Sequence, residues 1–179
     1  MSYLNTADQY GLVSKLLHWL IAALIVALLG IGCWMVDLSY YDPWYHDALS
    51  WHKSLGIILG LVVVFKLLWT LYDKPPAPQA SLSGFERSAS GIAHSILRWG
   101  MLIIPITGFL VSASEGAAVD IFDWFSVPAF IQVNDGVRDF SINIHYYFAY
   151  ALLGLVVLHA AAAIKHQFID KKGTLKRML

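Results

Sequence analysis

Charge is what this chain of 179 residues has least of. Asp, Glu, Lys and Arg make up 13% of it, about half the share of an ordinary soluble domain. Its 12 basic and 12 acidic residues cancel, so no basic field suits nucleic acid and no acidic tail suits a disordered segment. Cysteine is nearly absent too. Cys33 stands alone, which excludes an internal disulfide and any zinc spacing that needs two thiolates. No repeat or low-complexity tract is present, and a chain this short is expected to form a single domain, residues 1–179.

Apolar residues are abundant instead, at 58% hydrophobic and 14% aromatic. Four apolar stretches are long enough to cross a hydrocarbon layer of about 30 Å as helices. They run from Leu16 to Val36, Leu55 to Tyr72, Ile92 to Ser114 and Ile142 to Ile164. The expected fold is therefore all-α, an integral membrane four-helix bundle surrounded by lipid. Pro75, Pro76 and Pro78 break the chain after the second stretch, and Gly116, Pro128, Asn134 and Gly136 after the third. The first stretch is too long for a signal peptide, and no small-residue cleavage site follows it. The Leu29–Gly32 run before Cys33 loosely resembles a lipoprotein signal, but Trp34, Met35 and Val36 continue the span, so Cys33 reads as a packing residue.

The few charges are sorted by side. Lys15, Lys74, Arg87, Lys165, Lys171, Lys172, Lys176 and Arg177 fall near the termini or between spans two and three. The other two connections hold only Lys53 and Arg138, beside Asp37, Asp42, Asp47, Glu115, Asp120, Asp123, Asp135 and Asp139. Positive charge stays inside, so both termini are expected in the cytoplasm. Trp34, Tyr40, Tyr41, Trp44, Tyr45, Trp51 and Trp124 form the aromatic belt expected at the outer interface. The acidic outer loops suit a small or basic redox partner better than an anion.

Histidine placement carries the chemistry. An ionisable group within a span is costly and points to function. His145 and His159 lie on span four, 14 residues apart; that is about 21 Å along a helix and within about 40° of one face. His52 matches His145 in depth, and His18 matches His159. Two stacked bis-imidazole sites are expected, an outer one from His52 and His145 and an inner one from His18 and His159. Zinc or copper would want three or four protein ligands, whereas a porphyrin supplies four nitrogens and leaves two axial positions for imidazoles. Two haem b groups with no open coordination position favour electron transfer. Gly56 and Gly154 would let a flat macrocycle approach the backbone.

Other polar residues leave alternatives open. His94 could replace His18 as a ligand, help bind a quinone, or be a buried hydrogen-bonding residue. His166 repeats the face of His159 nearer the surface, as a rival inner ligand or an interfacial side chain, and His46 reads as a solvated loop residue. Lys66 and Arg98 are candidates to pair with the inner haem's propionates or to snorkel to the interface; Lys53 could serve the outer haem in the same way.

At these residues the chain resembles the bacterial cytochrome b561 family, and within it the YceJ-like branch. The matching runs are Leu17-His18-Trp19, Trp34-Met35-Val36, Leu38-Ser39-Tyr40-Tyr41-Asp42, Trp44-Tyr45-His46, His52-Lys53-Ser54-Leu55-Gly56, His159, His166-Gln167-Phe168-Ile169-Asp170-Lys171 and Thr174-Leu175-Lys176-Arg177-Met178. The resemblance implies His18, His52, His145 and His159 as haem ligands. It also implies a multi-pass protein of the bacterial inner membrane that exchanges electrons with ubiquinone. A superoxide:quinone oxidoreductase is one activity found among similar proteins, and YceJ-like members are commonly paired with a small periplasmic isoprenoid-binding protein. Two rival readings are a haem-bearing membrane anchor subunit of another redox enzyme and a histidine-lined transporter; the absence of repeat symmetry and of broken helices counts against the transporter.

Overall fold

Long unbroken apolar runs have one stable outcome in lipid, the α-helix, because every backbone N–H and C=O must be satisfied within the segment. The computed structural model describes residues 2–116, 118–122 and 124–179, so Asp123 of the acidic set lies outside the described residues. Four helices, each long and apolar enough to span a membrane, dominate it: α1 (Leu12–Met35), α2 (Tyr45–Tyr72), α3 (Gly84–Ala113) and α4 (Asp135–Ile164). Past Ile164 the chain takes a π-helical turn over Lys165–Ile169 and ends in a short 3-10 turn at Leu175–Arg177.

Three helices begin well before their apolar stretches, and polar caps rather than apolar residues start two of them. Ser83 and Glu86 form a reciprocal capping box at α3. The Asn134 side chain accepts from Val137 N at 2.9 Å and starts α4. The start of α2 at Tyr45 places His46 in its first turn rather than in a loop, with its ring edge-on to Tyr40 and Tyr45. Pro105 sits inside α3 and removes one ladder donor there.

Backbone packing is close between α1 and α2, α2 and α3, and α3 and α4; α1 and α4 approach each other less closely. The buried core is small, centred on Ile21, Ile25, Leu28, Leu59 and Val63. Large apolar residues face outward, Val157 being 58% and Leu158 67% exposed. In water such a surface would be a liability; against lipid tails it is the expected lining.

The helices alternate in direction, so the chain has two ends. At the terminal end, the N-terminal segment, the α2–α3 connection and the tail are stitched together. Asn5 N donates to Asp73 Oδ2 at 3.0 Å, Arg177 donates to Asp8 O and Ala77 O, and Trp19 Nε1 donates to Met178 O at 2.8 Å. Gln79 and Lys172 O make a further bond there. At the loop end, an antiparallel hairpin, β1 (Val119–Ile121) and β2 (Phe125–Val127), interrupts the α3–α4 connection. The purely helical expectation missed it. Its strands are three residues each, and a tertiary contact holds them: the buried Ser54 hydroxyl donates to Asp120 O at 3.2 Å and accepts from Phe122 N at 2.9 Å.

Candidate functional site

Two layers of imidazoles cross the bundle. Towards the loop end, the rings of His52 on α2 and His145 on α4 have centroids 6.0 Å apart, inclined at 75°. Towards the terminal end, His18 on α1 and His159 on α4 are 6.4 Å apart at 63°. These separations are informative. An imidazole nitrogen binds a first-row metal at about 2 Å and lies about 1 Å from its ring centre, so two rings on opposite sides of one iron have centres about 6 Å apart. Both pairs stand at that spacing.

Comparison with known proteins agrees with the geometry. Residues 9–179 match the family model described as prokaryotic cytochrome b561. The chain belongs to that family. It is 41% identical over 179 residues to cytochrome b561 homolog 2 of Escherichia coli (strain K12), covering 100% of this chain and 95% of the relative. Cytochrome b561 homolog 1 of the same organism is 26% identical over 175 residues, 96% of this chain and 97% of the relative. A probable superoxide oxidase, CybB, of Yersinia pestis is 26% identical over 176 residues, 96% of each chain. Membership makes this chain a multi-pass bacterial membrane cytochrome with an electron-transfer role and b-type haem as its cofactor.

The side chains around the cytochrome's loop-end layer fit such a group. An apolar cavity of about 310 Å³ reaches both His52 and His145 and takes its walls from all four helices. On α3, the segment Ile104–Gly108 cradles His145. The Nδ1–H of His145 donates to Ile104 O at 3.0 Å, and the Thr107 hydroxyl lies 3.4 Å from the same nitrogen. With Nδ1 engaged as a donor, the Nε2 lone pair is left for a metal. Gly108 makes the approach possible, since a Cβ there would lie 3.0 Å from His145 Cε1; Gly32 does the same for His52, at 3.2 Å from Cε1. His52 Nδ1 is buried with no hydrogen-bond partner among the described residues. Beside Gly56 and Gly154 an added Cβ would meet open space, and Gly56 lines the cavity. Sequence reasoning picked these two glycines and missed Gly32, Gly108 and Thr107, because pairing across helices, not spacing along one, singles them out.

The terminal-end layer holds a third histidine. His94 on α3 stands 5.2 Å from His159, nearer to it than His18, and its Nδ1 is 3.3 Å from Ser90 Oγ. Lys66 and Arg98 lie within electrostatic reach of each other and of His94, and Lys66 also of His18. Neither has a carboxylate partner among the described residues. Lys53, by contrast, is paired with Glu115 at 3.3 Å.

His166 is not brought to this layer. Its Nδ1 is 2.7 Å from Asp170 Oδ2 and 3.9 Å from Glu86 Oε1. The three could surround a metal ion, but each carboxylate already holds an ammonium, Lys172 on Glu86 at 2.7 Å and Lys165 on Asp170 at 2.6 Å. Hydrogen bonds from Lys165 and then His166 hold the Asp170 carboxyl below its usual range. The group is an ionic clasp between α3 and the tail.

Proposed function

We propose that this cytochrome carries two haem b groups and moves electrons across the bacterial inner membrane to or from ubiquinone. His52 and His145 would hold one haem, and His18 and His159 the other. The observation that carries the reading is the pair of centroid separations, 6.0 and 6.4 Å, with one ring of each pair supplied by α4. When bound, each haem would supply a one-electron couple; the paired histidines would hold it and the apolar walls would exclude water, which favours electron transfer over oxygen binding. Lys66 and Arg98 would neutralise propionates of the terminal-end haem. His94, exposed on α3 beside that layer, would stand next to the quinone headgroup.

The test is a reduced-minus-oxidised spectrum with haem counted per chain. Two haems are expected in the native protein and one in each of His52→Ala and His159→Ala; full occupancy in either variant removes that histidine from the ligand set. The similarity to a probable superoxide oxidase supports a second reading, a superoxide:quinone oxidoreductase. Superoxide-driven quinol formation by the purified chain would establish it, and quinone turnover only with an added redox protein would favour a membrane subunit instead.

A further inference from the structure

The loop end carries eight carboxylates against two cations in sequence, and the structure shows that neither cation is free to offset them. Lys53 is held by Glu115 at 3.3 Å, and Arg138 is shared between Asp135 and Asp139 at 3.0 Å each. Asp37, Asp47 and Asp120 are exposed and have no basic partner among the described residues. This acidic field forms the roof of the loop end, where the hairpin's Val119 lines the same cavity as His52 and His145. Ser54, on α2 two residues past His52, pins the hairpin through Asp120 O and Phe122 N, and Ile121 between them is 0% exposed. Aromatic rings border the same roof. Trp34, Trp44 and Trp51 follow one another at 6.3 and 6.4 Å, and Trp51 adjoins His52. Trp124, at the hairpin tip, is 74% exposed.

We propose that this roof is the docking face for a redox protein with a basic patch, which exchanges electrons with the loop-end haem there. Carboxylates steer Lys and Arg towards the face, and exposed tryptophans offer those cations a second attraction through their ring faces. An anionic reactant would be repelled from the same place. The inference rests on the haem reading above, and its test separates the two. A chain without a Soret band would sink the haem reading; a normal spectrum with the wrong charge response would sink only this one.

The experiment uses the haem-loaded protein in lipid nanodiscs, reduced with dithionite and mixed rapidly with hexaammineruthenium(III). Each ruthenium(III) takes one electron from a reduced haem and becomes ruthenium(II). The second-order rate is expected to fall about tenfold as salt rises from about 0.01 M to about 1 M. Replacing Asp37, Asp47 and Asp120 together by Asn is expected to lower the low-salt rate several-fold and flatten the salt dependence, with the spectrum unchanged. The terminal end, rich in Lys and Arg, repels the probe and gives no such response. Asp47→Asn alone carries the same sign at smaller size, should the triple variant lose haem. A rate indifferent to these carboxylates, or one that rises with salt, overturns the proposal.

Discussion

A methyl group added at position 108 would sit 3.0 Å from His145 Cε1, tighter than nine in ten contacts a real Cβ makes. Gly108→Ala is therefore expected to push the ring off its cradle and weaken haem binding at the proposed loop-end site by about 10–100-fold, as loss of ligand support commonly does. Haem titration followed by spectroscopy should show one of the two sites fall while the other holds; two intact sites would mean the ring does not need that approach. At this scale the histidines were legible and their supports were not. His145 and His159 declare themselves by sharing a helix face, which is a property of one segment. The Ile104 carbonyl meets His145 across 41 residues and Glu115 meets Lys53 across 62. Such pairs depend on how helices lie together, and no spacing along the chain encodes that.

Among the elements, the hairpin shows how a short structure is held from outside. Six residues of strand cannot stabilise themselves in water, so the buried hydroxyl of Ser54 supplies what the ladder lacks. Ser54→Ala leaves the Asp120 carbonyl and the Phe122 N–H without that partner, at a cost of about 1–3 kcal/mol. Faster proteolysis within residues 119–127 is the expected readout, and unchanged cleavage would assign the hairpin's order to other contacts. The helices were readable because lipid demands one answer of any long apolar run. Their opening segments, such as Tyr45–Ser54 in α2, mix polar with apolar residues and so lie outside the continuous apolar run. The cue at Ser83 and Glu86, three residues apart, was present in the sequence as a capping-box pattern; the tertiary pin on the hairpin had no local cue.

For the molecule as a whole, the sorting of charge predicts its orientation. Basic residues gather at the terminal end and carboxylates at the loop end, so a reporter fused after Leu179 is expected in the cytoplasm. Green fluorescent protein there should fluoresce and alkaline phosphatase should stay inactive; the opposite pattern would invert the assignment of sides. One further consequence follows from α4 supplying a ring to both layers. Deleting one residue between Tyr146 and Leu158 would turn His145 and His159 about 100° relative to each other, so no rotation of the helix could keep both rings in their layers. A deletion in the α1–α2 connection leaves that relation untouched. Length variation should thus be tolerated between the helices and forbidden inside this one, and a deletion scan scored by colour would read α4 as a ruler whose two marks are imidazoles about four turns apart.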